Sequence, residues 1–161
     1  MPDRPASGVL DTCTYIDLDV VDPAALPAIP EITSITLAEL HQGVSMAKDH
    51  ATRAARTEKL SAAVSDFDSL PFDEAAAGRY GTLVALAIAA GRDPRPRRMD
   101  LMIAAIAATR GLPLYTRNAM NFKGLDGAVT VVAAVARPPR RIPFQQTQRR
   151  DLPPNRRATT P

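Results

Sequence analysis

Acidic and amide side chains lie at or near the points where apolar segments of the sequence begin or end. Asp11 ends the apolar stretch GVLD, Glu39 lies within SITLAELHQGV, and Asp100 opens the apolar segment DLMIAAIAAT. Asn118 and Asn121 follow the segment LPLYT. A carboxylate beside a buried element must be satisfied by a helix cap, a cation or a metal ion. These five side chains are therefore the first candidates for chemistry.

Three carboxylates in one cleft would have a defined chemical consequence. They repel one another, so either their pKa values rise or a cation compensates their charge. Oxygen donors without a nearby His or Cys suit Mg²⁺ or Mn²⁺ better than zinc. Such a cation can activate a water molecule and stabilise attack on a phosphodiester. Convergence of Asp11, Glu39 and Asp100 would thus indicate metal-assisted phosphodiester hydrolysis.

The elements that must position these side chains alternate between strand and helix. Strands are predicted at 8–11, 31–35, 112–116 and 128–135, with a further short strand at 70–72. Such alternation predicts an α/β fold, a three-layer α/β/α sandwich with a mainly parallel sheet of about five strands. Ligands bind beyond the carboxyl ends of strands in such sheets, which is where the candidate side chains fall. In the polar helix predicted over 50–67, Leu60 and Val64 are expected to point inward.

Composition restricts the class of protein. The 161 residues are 45% hydrophobic, enough for the core of one domain. No apolar run reaches the roughly 20 residues of a membrane span, and the first residues lack the apolar stretch of a signal peptide. The single cysteine, Cys13, excludes an internal disulfide and is expected to pack under the first helix. These features predict a cytoplasmic protein with no membrane association.

Positive charge is concentrated at the C-terminal end. Residues 137–161 contain seven Arg and one Asp, a balance of +6 within a net charge of +3, so the preceding residues carry −3. We therefore divide the chain into a domain at 1–136 and a basic, Pro- and Arg-rich tail at 137–161. The tail has little to bury and is expected to be disordered. Its charge would attract polyanions such as RNA without sequence preference.

Three segments in a fixed order resemble PIN-domain nucleases, in particular the VapC-type toxins of bacterial toxin–antitoxin pairs. They are VLDTCTYIDL, SITLAELHQGV and RRMDLMIAAIAATRGLPLYTRNAMNF, and the resemblance extends over residues 8–135. It implies a Mg²⁺-dependent endoribonuclease that cuts structured RNA such as tRNA or rRNA. It also implies a homodimer that is inhibited by a partner antitoxin.

Carried onto this sequence, the resemblance assigns Asp11, Glu39 and Asp100 to the acidic metal site. Asn118 matches the polar loop residue of the family, and Thr116 matches its small hydroxyl residue. A fourth acid is common in the family where this chain has Asn121. The amide removes one negative charge, which favours a mechanism with one metal ion. Replacing Asn121 with Asp is accordingly predicted to tighten Mg²⁺ binding.

Each assignment has an alternative at this stage. Asp11 and Asp100 could be helix caps, and Glu39 could be a solvated acid in the first turn of its helix. Arg97, Arg98 and Arg117 flank the candidate ligands and suit phosphate contacts, although salt bridges with the acidic body explain them equally well.

Two other functions remain open. The pattern CTYIDLDVV is similar to the first motif of haloacid-dehalogenase-type phosphatases, in which Asp17 would be the nucleophile. The remaining motifs of that family do not follow, so Asp17 and Asp19 are interpreted as the solvated end of a helix. The second alternative is a module that binds RNA or a protein partner without catalysis.

Overall fold

Four strands form a single parallel sheet in the computed structural model, which describes residues 6–137. The strands are β1 (Ser7–Leu10), β2 (Ile29–Glu31), β3 (Leu114–Thr116) and β4 (Val131–Ala133). Their order in the sheet is β2-β1-β3-β4, so β1 and β3 are the central pair. Val9 lies opposite Leu114, and Leu10 opposite Tyr115. The residues that follow β1 and β3 therefore leave the same edge of the sheet side by side.

Five α-helices connect and cover the strands. They are α1 (Thr12–Ile16), α2 (Ser34–Ser45), α3 (His50–Asp66), α4 (Glu74–Ala89) and α5 (Arg98–Thr109). Polar side chains cap the first four helices by accepting a hydrogen bond from the first turn, and these N-caps are Asp11, Thr33, Asp49 and Asp73. In α5 no side chain caps the N-terminus, and a short 3₁₀ turn at Arg95–Arg97 leads into the helix.

Two hydrophobic clusters stabilise the arrangement. The larger cluster joins β1 and β3 to α4 and α5, and α5 contributes more buried residues to it than any other element. All residues of α5 from Ile103 to Ala107 are buried. The smaller cluster joins α1, α2 and α3 through Tyr15, Leu40 and Leu60. Burial of α5 on all sides agrees with the apolar character of its sequence.

Gly8 is required where β1 crosses the ring of Tyr115. A Cβ atom at this position would lie 2.4 Å from Cε2 of Tyr115, closer than two carbon atoms can approach. The ring packs over the backbone of β1 in this space. Glycine thus allows the two central strands to pair in the register that places Asp11 beside Thr116.

The predicted α/β/α architecture with a parallel sheet is confirmed, and residues 6–137 contain four strands where about five were predicted. Residues 70–72 form no strand: Leu70 makes a single parallel bridge to Thr33, with its N–H bonded to the carbonyl of Ile32. The second strand was predicted at 31–35 but occupies Ile29–Glu31, because Thr33 already caps α2. The last strand is shorter than predicted.

The burial predicted for α3 is half right. Leu60 is buried as expected, whereas Val64 is 58% exposed.

The predicted tail lies outside the described residues from 138 onward. Among the described residues, no helix is both long and apolar enough to span a bilayer.

Candidate active site

Asp11 lies where β1 ends and α1 begins, with only 3% of its surface exposed. Its Oδ1 accepts a hydrogen bond of 2.7 Å from the backbone N–H of Thr14, which makes it the N-cap of α1. Its Oδ2 accepts a bond of 2.5 Å from the hydroxyl of Thr116. The cap considered from the sequence is therefore real. It does not exclude a ligand role, because each carboxylate oxygen retains a further lone pair.

Glu39 lies in the second turn of α2, one turn further along than expected, because the helix begins at Ser34. The helix dipole therefore contributes less to its ionisation than the sequence suggested. The hydroxyl of Thr12 donates a hydrogen bond to its Oε2. Burial raises the pKa of Glu39, and the charges of Asp100 and Asp11 raise it further, while the bond from Thr12 acts in the opposite direction.

Asp100 occupies the first turn of α5, two residues after the helix begins, and is not its N-cap. Its Oδ2 accepts a hydrogen bond of 3.1 Å from the side-chain amide of Asn121. Burial raises the pKa of Asp100, and the charge of Asp11 adds to this effect. The guanidinium of Arg97 and the amide of Asn121 partly offset it. The negative charge of Asp100 is thus partly offset by one nearby cation and one amide donor.

We call Asp11, Glu39 and Asp100 the acid cluster. The charge of Asp11 raises the pKa of both other carboxyls, and the charge of Asp100 raises that of Glu39. Such effects between carboxylates act at close range in a partly dry environment. Together with the contacts of Thr12 and Asn121, they place these three side chains, which are far apart in sequence, in the same region of the fold.

The loop after β3 closes one side of the acid cluster. Arg97 donates from Nη1 to the backbone carbonyl of Asn121 at 2.9 Å, which ties the start of α5 to this loop. Asn118 is exposed, and its backbone N–H donates to the hydroxyl of Thr116 at 2.9 Å. Asn121 thus contacts the cluster through its side chain. The connection from Asn118 runs through its backbone and Thr116.

The other two flanking arginines, Arg117 and Arg98, differ in the groups that they contact. Arg117 forms an ion pair with Asp17 at the end of α1, and its backbone N–H donates to the hydroxyl of Thr14. Arg98 is exposed and donates to the carbonyl of Arg95 at 3.1 Å. The salt-bridge alternative therefore holds for Arg117, whereas the charge of Arg98 meets only a backbone carbonyl.

The donors of the acid cluster fit a hard divalent cation in kind. All three are carboxylates, and a cation would offset the negative charge that, after burial, raises the pKa values of Glu39 and Asp100. Within residues 6–137, no group of three or more Asp, Glu, His or Cys side chains has an arrangement that could hold a metal ion. Mg²⁺ does not require three protein ligands, because proteins commonly hold it through one or two carboxylates and several waters.

No protein-family model matches the chain. "Ribonuclease VapC5" of Mycobacterium tuberculosis is 40% identical over 134 residues, which are 81% of this chain and 96% of that protein. The chain belongs to the VapC family. The resemblance stated from the sequence motifs is thereby confirmed.

Solved structures place this VapC chain beside toxin–antitoxin proteins. The VapBC-5 structure from Mycobacterium tuberculosis matches with a TM-score of 0.70 and 40% identity, over 80% of this chain and 98% of that one. The FitAcB structure from Neisseria gonorrhoeae matches with a TM-score of 0.63 and 26% identity, over 77% and 95%. A DNA-bound VapBC complex from Salmonella typhimurium, at 24% identity and a TM-score of 0.61, shares the fold.

Sequence reasoning missed Thr12 as a neighbour of the acid cluster and placed Cys13 wrongly. Thr12 follows Asp11 directly, so a hydroxyl beside a strand-end acid was the available signal, but its partner Glu39 is 27 residues away. Cys13 is exposed and not packed under α1. Partial burial raises the pKa of its thiol, and the neighbouring charge of Asp11 adds to this, which disfavours a reactive thiolate.

Proposed function

We propose that this chain is the toxin of a toxin–antitoxin pair and acts as an endoribonuclease that requires Mg²⁺ or Mn²⁺. Its VapC membership supports hydrolysis of RNA, since the 40% identical relative bears the name ribonuclease. The proposal also includes the substrates that the motifs imply, tRNA or rRNA, and action in the cytoplasm.

The convergence of Asp11, Glu39 and Asp100 is the observation that carries the proposal. The three residues come from the end of β1, the second turn of α2 and the first turn of α5. A fold alone would need no such grouping, because three repelling carboxylates destabilise the native state. Burial and the neighbouring carboxylates raise the pKa values of Glu39 and Asp100, which is the direction expected of such a grouping.

The chain's own residues would hold and orient the reacting groups. Asp11 and Asp100 are the proposed direct ligands, with Glu39 contributing directly or through water. When bound, the cation would lower the pKa of a water molecule and offset charge on the phosphodiester. Thr116 and Thr12 fix the orientations of Asp11 and Glu39 through their hydrogen bonds. Asn121 would keep Asp100 turned toward the cluster.

Arginines beside the cluster are proposed to contact the RNA backbone. Arg98 is the better candidate, because it is exposed and its charge meets only a carbonyl oxygen. Arg97 would bring positive charge close to Asp100. Arg117 would first have to release Asp17, so we expect it to contribute less. Its bond also keeps Asp17 engaged, which gives the phosphatase alternative no support.

The proposed partners are an antitoxin and a second copy of the chain. The structural neighbours include VapBC-5, which is described as a member of a family of toxin–antitoxin systems, and a DNA-bound VapBC complex. By analogy with them, an antitoxin would cover the acid cluster and block RNA. Homodimer formation rests on the family resemblance.

The test compares the parent chain with Asp100→Asn. RNA ends are sequenced after brief expression, and cleavage of the identified RNA is repeated with purified protein. We expect discrete new ends with the parent and none with Asp100→Asn. This substitution preserves shape and removes one repelling charge, so the variant should remain folded, as judged by circular dichroism and thermal melting.

Addition of EDTA separates the enzyme from a binding module. The proposal predicts that chelation abolishes cleavage and that Mg²⁺ restores it. Equal cleavage by Asp100→Asn and the parent would contradict the assignment. RNA binding without cleavage under every metal condition would instead establish the non-catalytic alternative.

A further inference from the structure

A groove outside the acid cluster opens between α1, α2 and α3. It has a cavity volume of about 450 Å³, within the size range of small-ligand sites. Its walls are mainly aliphatic: Ile16, which is 44% exposed, lies on one side, and Leu40, Gly43 and Ala55 complete the apolar surface. Glu39 also lines the groove. The same residue therefore belongs to the acid cluster and to the wall of this groove.

Two cations, Arg56 and Lys59, lie on the α3 side of the groove. Arg56 donates from Nη1 to the carbonyl of Gly43 at 2.6 Å and forms no salt bridge with the carboxylates in the described part of the chain. Lys59 donates to the carbonyl of Ile16, and its Nζ lies 3.7 Å from Oδ2 of the exposed Asp19. Backbone carbonyls thus orient both cations and leave most of their charge for an anionic ligand.

We propose that this groove binds the nucleotide of a single RNA strand that is adjacent to the phosphodiester at the acid cluster. The inference rests on the proposed ribonuclease function. The base would lie against Ile16 and Leu40 and stack on the planar guanidinium of Arg56, while Lys59 would contact a phosphate.

Charge and continuity favour RNA as the occupant. Single-stranded nucleic acid is commonly bound where cations follow a groove that also offers surfaces for bases. An arginine guanidinium can replace an aromatic ring as such a surface, and none of the residues that line this groove is aromatic. Because Glu39 is shared, a strand in the groove must also pass the acid cluster. An apolar segment of a partner protein would match the aliphatic walls but would offer no negative charge to the two cations.

The residues that line the groove are mainly apolar or positively charged. Its apolar lining and a stacking guanidinium would accept any base, since every base has a flat face. We therefore expect this site to supply affinity and to position the strand. Sequence preference would have to arise elsewhere.

The test measures binding of a short, fluorescein-labelled, single-stranded RNA of mixed sequence to the full chain. All variants carry Asp100→Asn, so that RNA is not consumed. We expect Arg56→Gln to weaken binding roughly tenfold. Lys59→Gln should weaken it and make the slope of log affinity against log salt shallower by about 0.7. Arg56→Lys keeps the charge but not the plane, and should bind more weakly than the parent.

Arg79→Gln is the matched control, because this exposed arginine belongs to α4, which does not line the groove. It should leave affinity and salt slope unchanged, and thermal melting checks the fold of every variant. Equal binding by the Arg56, Lys59 and Arg79 variants would overturn the inference. Unchanged RNA binding together with loss of antitoxin binding would also overturn it and identify a protein-docking groove.

The two proposals fail in different ways. If the parent chain shows no metal-dependent cleavage, the ribonuclease function fails. If cleavage is present and is abolished by Asp100→Asn while the groove variants bind RNA normally, only the groove assignment fails.

Discussion

At the scale of single residues, the carboxylate of Asp11 has two structural partners and a proposed chemical one. It caps α1 through Thr14 and accepts the hydroxyl of Thr116. A substitution at this position therefore changes the stability of the fold as well as the charge of the acid cluster. Asp100 caps no helix, so its substitution changes the cluster with less structural cost.

We predict that Asp11→Ala and Asp11→Asn both lack nuclease activity but differ in stability. Asn can still cap α1 through its oxygen, and its NH2 group can donate to the hydroxyl of Thr116, whereas Ala can do neither. The free energy of unfolding in urea should therefore be about 1 kcal/mol lower for the Ala variant than for the Asn variant. Equal stability of the two variants would show that the cap contributes nothing measurable.

Asn121→Asp is predicted to tighten Mg²⁺ binding measured by calorimetry. The change replaces the amide that donates to Asp100 at 3.1 Å with a further carboxylate. Without metal, the new charge repels Asp100 and should lower thermal stability. With Mg²⁺, it adds a ligand of the preferred kind. Asn118→Asp serves as a control, because its exposed side chain carries the same new charge at a different position of the loop. Unchanged or weaker affinity of Asn121→Asp would contradict the prediction.

The identity of the candidate residues was accessible from the sequence because parallel strands leave one edge together. Asp11 and Asp100 could be placed by the ends of apolar stretches. Their hydrogen-bond partners could not be predicted, because the hydrogen bond from Thr12 to Glu39 depends on how α1 packs against α2. The contribution of Asn118 through its backbone was equally invisible, because side-chain type says nothing about a main-chain donor.

At the scale of elements, α5 anchors the larger core and also carries Asp100 at its start. Its interior residues are fully buried, and it contacts both α4 and the loop after β3. Packing of this helix therefore sets the position of one member of the acid cluster.

Ile103→Ala is predicted to lower the free energy of unfolding by about 2–5 kcal/mol, because it opens a cavity in a fully buried position of α5. Ile88→Ala on α4 is the control. Its side chain is 59% exposed, so the change should stay within about 0.5 kcal/mol. Both values come from urea unfolding, and similar losses for the two variants would contradict the packing described for α5.

Strand β2 shows why element boundaries were harder to predict than the elements themselves. Residues 31–35 are rich in β-branched side chains, yet pairing with β1 selects Ile29–Glu31, with Ser7 opposite Ile29. Pro30 lies inside this strand, which is tolerated because β2 is at the edge of the sheet. Local preference favoured a loop there, and tertiary pairing overrode it.

At the scale of the whole molecule, the acid cluster couples folding to pH. The pKa values of Glu39 and Asp100 are raised in the folded protein by burial and by neighbouring charge. Between the ordinary carboxyl pKa near 4 and these raised values, the native state therefore holds protons that the unfolded state has released. The stability that these bound protons give the native state is fully present at acid pH and is lost as the pH rises through the raised pKa values.

We predict that the stability of the parent falls, relative to that of Glu39→Gln, as the pH rises from about 4 toward neutrality. Asp49, whose pKa is lowered by its hydrogen bonds to Thr52, acts in the opposite direction in both proteins and cancels in the comparison. Urea unfolding at a series of pH values measures the difference. Mg²⁺ should reduce it near neutrality, because the cation favours ionised carboxylates. Parallel curves for the two proteins would contradict the prediction.

The pairing of β1 with β3 also determines when this protein can become active during its synthesis. The strand that ends in Asp11 leaves the ribosome first, but the hydroxyl that holds Asp11 belongs to a residue 105 positions later. A polypeptide that stops before Leu114 lacks the neighbouring central strand. We therefore expect products that terminate before this strand to be inactive, and nuclease activity to arise only when translation has passed Thr116.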